Sequence, residues 1–322
     1  MRQSKRIALG AFALALTLLT GCADRPAAAE KHRVTLVAKS TNTEFWKTVF
    51  AGAEAAAAEY NLDLFIIGPE TEEDYATQNQ MVAQAVADGT EVLVFSAIDY
   101  EKNASAINDA AAAGVKIVTI DSDVHSDATS TYIGTDNYAA GQQAAAAALK
   151  CEYPHLYVGL VNYDINSANG QERETGVRDT FAPLDNVTVV ESINVAAAAQ
   201  PAQAGTAALL KANPEINVLI AFNEPVSVGA ARAVTELKQE DRIWLVGFDS
   251  NVETVDNLQT GVVNALIVQN SYAMGYLGVE SAYRLLTGQS GVLQPTVDTS
   301  TFIVTQENLF TADSQKALFA FE

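Results

Sequence analysis

Ile243-Trp244-Leu245-Val246-Gly247-Phe248-Asp249-Ser250 is an almost unbroken apolar run that stops at a carboxylate. A run of this kind reads as a strand buried on both faces, as in a parallel sheet covered by helices, and such sheets present ligands beyond the carboxyl ends of their strands. Asp249 falls at that end. The same pattern occurs earlier, in Lys116-Ile117-Val118-Thr119-Ile120-Asp121-Ser122-Asp123. Two strand-end carboxylates far apart in the chain predict two lobes, each offering an acidic group to one cleft.

Outward from these two runs, extended and helical segments alternate. The first series predicts strands from Val34 to Ala38, Leu62 to Ile67, Val92 to Phe95 and Lys116 to Ile120. Helices run from Glu44 to Tyr60, from the acidic stretch Glu70 to Asp74, which reads as a solvated helix entrance, on to about Asp88, and from Glu101 to Ala113, with Gly89 and Gly114 as stops. A polar loop, Ser122 to Thr131, and a short strand, Tyr132 to Gly134, lead into a helix from Tyr138 to Leu149. The second series predicts strands from Leu156 to Val161, Val187 to Ile193, Val218 to Phe222, Ile243 to Phe248 and Val262 to Val268. Its helices run from about Gln171 to Phe181, Gln200 to Ala212, Pro225 to Lys238, Glu253 to Leu258 and Tyr272 to Leu286. A last extended segment covers Val297 to Val304. The fold class is α/β, with two similar lobes, each a doubly wound parallel sheet flanked by helices. No linker-like stretch separates the series, so the crossings between lobes are short and form a hinge.

The chain has 322 residues, of which 49% are hydrophobic, enough for a sizeable core. Lysine and arginine number 19 against 39 aspartates and glutamates, a formal net charge of −20. That balance argues against nucleic acid as a partner, since phosphate binding depends on Lys and Arg. Arg2, Lys5 and Arg6 precede an apolar run from Ile7 to Leu19 and then Thr20-Gly21-Cys22. Residues 1–22 therefore read as a secretory signal, whose apolar run is too short for a membrane span of about 20 residues. Leu19-Thr20-Gly21-Cys22 resembles a bacterial lipobox, which predicts lipidation of Cys22 and an extracytoplasmic protein anchored to the cell membrane. Residues 23–32 read as a tether. Once Cys22 is modified, Cys151 has no partner for an intramolecular disulfide, and His32, His125 and His155 show no motif that would pair with it. The run from Asp121 to Asp127 resembles the opening of a calcium loop, but Ser126 stands where the turn glycine belongs and Tyr132 where the closing glutamate belongs. No metal site is expected.

Five places give a more specific resemblance. Thr41-Asn42-Thr43-Glu44-Phe45-Trp46 resembles an Asn-Pro-Phe-Phe or Asn-Pro-Phe-Trp segment, Ile120-Asp121 a fourth-strand aspartate, and Phe222-Asn223-Glu224 an Asn-Asp pair. Val246-Gly247-Phe248-Asp249 resembles a Gly-Phe-Asp strand end, and Val268-Gln269 a glutamine just before a crossing. In this order, over Arg33 to Val304, they resemble the type I periplasmic binding proteins, within them the ribose-binding-like sugar receptors of ABC importers. The resemblance implies lobes of residues 33–135 plus 270–299 and 136–269 plus 300–322. It also implies three crossings, near Thr135 to Asn137, near Gln269 and near Asp298 to Thr301. Phe45 and Trp46 would stack on a sugar ring, while Asp121, Asn223, Asp249 and Gln269 would bond its hydroxyls. The chemistry fits, since aromatics serve an apolar ring face and carboxylates or amides serve a belt of hydroxyls. The departures are Lys39 in place of a serine, Ser96 in place of an asparagine, Ser122 in place of an arginine, and Ala197 at an often aromatic position. Gln171 falls near an expected ligand arginine, with Arg173 two residues on.

The function implied is that of a monomeric, non-enzymatic receptor without a cofactor. It closes about its hinge on a monosaccharide or polyol and presents it to an ABC permease and ATPase complex. Alternatives are a sensor of a sugar or autoinducer-2-like compound that signals to a membrane kinase or chemoreceptor, and, more distantly, a glycosidase using Asp121 and Asp249. A sugar-responsive repressor shares this fold but needs a DNA-binding helix pair where the signal segment stands.

Overall fold

A computed structural model describes residues 31–319. The expected signal segment, Cys22 and residues 23–30 of the tether lie outside the described residues. The chain opens with β1 (Arg33–Val37), α1 (Glu44–Glu59), β2 (Asp63–Ile67), α2 (Tyr75–Ala87), β3 (Val92–Phe95), α3 (Ala104–Ala112), β4 (Lys116–Ile120) and β5 (Thr129–Gly134). It continues with α4 (Asn137–Ala148), β6 (Leu156–Asn162), α5 (Ala168–Phe181), β7 (Val187–Asn194), α6 (Ala199–Ala212), β8 (Val218–Ala221), α7 (Glu224–Glu236), β9 (Trp244–Phe248), α8 (Val252–Thr260) and β10 (Ala265–Gln269). Then follow α9 (Ser271–Leu286), β11 (Thr296–Asp298), β12 (Thr301–Thr305) and α10 (Ala312–Leu318).

Two six-stranded sheets result, ordered β11-β5-β4-β3-β1-β2 and β12-β10-β9-β8-β6-β7. The first is parallel throughout. In the second only β12 runs antiparallel, with Gln269 opposite Thr301. The uninterrupted apolar runs fill both cores: every residue of β3, β8 and β10 is buried, and β4 and β9 are buried after their first residue. The chain passes between the two layers three times, from β5 into α4, from β10 into α9, and from β11 into β12.

Three sequence readings need correction. The extended segment expected from Val297 to Val304 is not one strand; Asp298 ends β11 in one sheet and Thr301 starts β12 in the other. The Asp298 carboxylate accepts the Ser300 N–H at 2.9 Å and Ser300 has φ 62°, which makes the turn. α5 starts at Ala168 rather than near Gln171, because Ser167 is its N-cap and its hydroxyl accepts the Gly170 N–H. α10 was not expected at all.

Candidate functional site

Asp121 and Asp249 follow β4 and β9 directly, and both take the left-handed backbone conformation, with φ 59° and 63°. A carboxylate-bearing residue tolerates this region better than most. Both are buried where the carboxyl ends of the two sheets face each other. Lys39, Phe45, Trp46, Arg173, Asn223 and Gln269 line the same cavity, so eight of the ten expected ligand residues converge.

The remaining two do not line it. Ser96 is buried behind Asp121 and donates its hydroxyl to Oδ2 at 2.9 Å. Gln171 is exposed. Helical spacing explains this, since it places Asn169 and Arg173 on the buried side, four residues apart, and turns Gln171 outward. Tyr163, Asn169, Glu72 and Glu224 also line the cavity and were not expected to. Tyr163 follows the end of β6 and could have been found by the strand-end pattern used for Asp249. Glu72, taken from sequence as part of a solvated helix entrance, is instead only 8% exposed.

Hydrogen bonds tie these groups into two networks. Around Asp249, Gln269 donates Nε2 to Oδ1 at 2.7 Å, while its Oε1 accepts from Arg173 Nη2 at 2.7 Å and from Thr135 Oγ1 at 2.9 Å. Arg173 also donates to Asn137 Oδ1 at 2.9 Å and to the Phe222 carbonyl at 2.6 Å, and lies over the Phe248 ring at 4.5 Å. Burial pushes the Asp249 carboxyl up to about 7, against the opposing pull of Arg173 and the Gln269 hydrogen bond. Around Lys39, the ammonium lies 3.5 Å from Glu72 Oε2 and 5.0 Å from the centre of the Tyr163 ring, and the Trp46 indole donates to Glu72 Oε1 at 2.9 Å. Burial works against the Lys39 charge, but Glu72, Tyr163 and Asp121 outweigh it and hold its pKa above the ordinary value. Asn223 caps α7 with Oδ1, accepting the Val226 N–H at 3.0 Å, which leaves its amide nitrogen toward the cavity.

Contacts also cross between the lobes. Glu224 Oε2 accepts the Phe45 N–H at 2.8 Å, Glu73 Oε1 accepts the Ala197 N–H at 2.6 Å, and the Tyr100 N–H meets the Asn166 carbonyl at 2.9 Å. Asn169 reaches Asp121 Oδ1 at 3.3 Å. The cavity these groups line measures about 20 Å³, room for about one water. A larger opening of about 510 Å³ adjoins it along the hinge, sharing Phe45, Asp249 and Gln269 and bounded by Tyr272, Thr299 and Lys316. The converging polar groups are concentrated in the smaller space, which makes it the centre of the site. Among the described residues no cluster of His, Cys, Asp and Glu could hold a metal ion, and no helix is long and apolar enough to cross a membrane.

Proteins similar in sequence and structure share this fold. A D-ribose/D-allose-binding protein of Pseudomonas aeruginosa is 26% identical over 293 residues, 86% of this chain and 91% of the relative. The crystal structure of a carbohydrate transporter solute binding protein from Agrobacterium radiobacter, in complex with D-arabinose, superposes with a TM-score of 0.87 at 25% identity, covering 90% of this chain and all of that one. An ABC transporter solute binding protein from Agrobacterium vitis with bound D-fucose gives a TM-score of 0.85 at 26% identity, covering 89% and 99%. Residues 34–290 match the periplasmic binding protein domain, and with two facing α/β lobes around one polar cleft the chain belongs to that family, in its ribose-binding-like, type I form.

Proposed function

We propose that this protein is the extracytoplasmic solute receptor of an ABC importer, binding a monosaccharide or related polyol between its lobes. The observation that carries this reading is the convergence, from two separate lobes, of Asp121, Asn223, Asp249, Arg173 and Gln269 on a cavity that Phe45 and Trp46 also line. Carboxylates accept hydroxyl protons, and amides and guanidinium donate to hydroxyl oxygens, so the set matches a ring with an apolar face and a polar belt. The relatives above are named for binding sugars rather than transforming them, in keeping with a receptor and not an enzyme. The lobes are residues 33–135 with 270–299 and residues 136–269 with 300–322, which part to admit the sugar and close over it. The receptor works as a monomer, held to the membrane through a lipid on Cys22, and delivers its ligand to the permease and ATPase.

A thermal-shift screen of residues 23–322 against pentoses, hexoses, polyols and amino acids tests the ligand class. A ligand at a hundredfold excess over its Kd stabilises the fold by about 2.7 kcal/mol. A response to amino acids with none to carbohydrates would overturn the reading. Asn223→Ser separates the cap from the ligand contact, because serine caps α7 about as well as asparagine. We expect unchanged unfolding and a loss of about 1.5 kcal/mol in sugar affinity, roughly tenfold, by calorimetry.

A further inference from the structure

Glu72 lies in a stretch of acidic residues that reads as solvated surface, yet its carboxylate is buried in the cleft and holds two other cleft groups. One oxygen takes the Trp46 indole N–H at 2.9 Å, and the other faces the Lys39 ammonium at 3.5 Å. Lys39 is 2% exposed and lies over Tyr163 of the opposite lobe. A buried ammonium without a partner is costly and would draw in any anionic ligand, but here its charge is already matched. The other cation, Arg173, gives three of its five N–H groups to neutral oxygens of Asn137, Phe222 and Gln269. Two cations therefore face four carboxyl groups, those of Glu72, Asp121, Glu224 and Asp249. A ligand carboxylate or phosphate would enter a water-poor space lined by four carboxyl groups, and would find the Lys39 ammonium already paired with Glu72.

Resting on the sugar-receptor reading, we propose that Glu72 is a specificity-determining residue: by pairing with Lys39 it withholds the ammonium from the ligand, so the cleft accepts uncharged sugars and rejects acidic ones. Its bond to the Trp46 indole couples the same carboxylate to the orientation of the stacking ring. Specificity of this type rests on an element that disfavours the wrong ligand as much as on contacts to the right one.

The test compares wild type, Glu72→Gln, Lys39→Met and the double variant by calorimetry against D-ribose, D-arabinose, D-fucose, D-galacturonate and D-glucosamine. Circular dichroism checks that each variant is folded. The wild type binds at least one neutral sugar, and D-galacturonate at least a hundredfold more weakly. In Glu72→Gln the freed ammonium improves D-galacturonate at least tenfold relative to the neutral sugar. In Lys39→Met the unmatched carboxylate instead improves D-glucosamine tenfold, so the proposal stays testable if the first variant does not fold. The double variant restores the wild-type preference for uncharged sugar. Neutral-sugar binding with ratios unchanged in both single variants would overturn this inference alone. Binding of no neutral sugar by the wild type would overturn it together with the receptor reading.

Discussion

Asp249 shows how a single residue can be legible in position and hidden in state. Its place at the end of a buried strand follows from an apolar run that stops at a carboxylate, and the same holds for Asp121. Their left-handed backbones, at φ 63° and 59°, carry no sequence signal, yet they decide which substitution is informative. Alanine would add backbone strain, whereas asparagine accepts this region. Because burial raises the folded-state carboxyl from 3.8 to about 7, the unfolded chain gives up this proton first as pH rises. Between those values the native state binds more protons, so the contribution of Asp249 to stability falls with pH across the window and levels off above about 7. Asp249→Asn abolishes the dependence. In urea unfolding at pH 4, 5, 6, 7 and 8, stability should shift in favour of the variant by up to about 1.4 kcal/mol per pH unit, ceasing above 7. A difference that stays flat over this range would show an ordinary carboxylate and defeat the prediction. Glu72 and Gln171 were misread for other reasons. An acidic residue at a helix entrance looks the same in sequence whether it meets water or a buried lysine. Gln171 was assigned by its nearness to an arginine position of the resembled family, and helical spacing gives that place to Arg173, two residues on.

Elements were more legible than their contacts. The alternation of strands and helices was readable because both sheets bury continuous apolar runs, and β3 and β4 have the expected bounds. The antiparallel direction of β12 was not, since it depends on which strand it meets after leaving β11. Nor was the role of the helical glycines, which in sequence only lower helix propensity. In the structure they let backbones touch: a Cβ on Gly275 of α9 would lie 1.9 Å from the Val49 carbonyl oxygen of α1, and one on Gly52 would lie 2.1 Å from that of Tyr272. The pair α4 and α5 repeats the device, with Gly141 against the Arg173 carbonyl oxygen and Gly176 against that of Tyr138, each at 2.1 Å. Gly141→Ala must push α5 away at the residue whose guanidinium holds Gln269. We expect a loss of about 2 kcal/mol in stability, in the range for overpacking, and weaker sugar binding. Gly291→Ala, with nothing within 4 Å of the new methyl group, should stay within about 0.5 kcal/mol. Equal thermal unfolding of the two variants would contradict this account of the α4–α5 contact.

At the scale of the whole molecule, the question is what favours the closure proposed above. With room for about one water in the cleft centre, the proposed sugar would need the lobes to part before it enters. Two of the contacts between the lobes come from carboxylates that cap helices of the opposite lobe. Glu224 accepts the Phe45 N–H in the first turn of α1, and Glu73 accepts the Ala197 N–H just ahead of α6, whose N-cap, Ala198, has no side chain to do so. Both place negative charge at a helix N-terminus, where the backbone dipole welcomes it. Magnitude separates them. Glu224 is 6% exposed and anchored by Asn251 at 2.8 Å, so its charge-assisted bond is worth about 1.5–3 kcal/mol. Glu73 is exposed, and solvent screening leaves its contact at about 0–1 kcal/mol. Glu224→Ala should therefore shift the sugar-free protein toward the open form, while Glu73→Ala should do so only slightly. Single-molecule energy transfer between dyes on the two lobes checks both points. The open fraction should rank Glu224→Ala above Glu73→Ala and wild type, and saturating sugar should return all three to one closed distance. If Glu224→Ala and wild type gave the same sugar-free distribution, the contact between Glu224 and α1 would be a consequence of closure and not one of its causes.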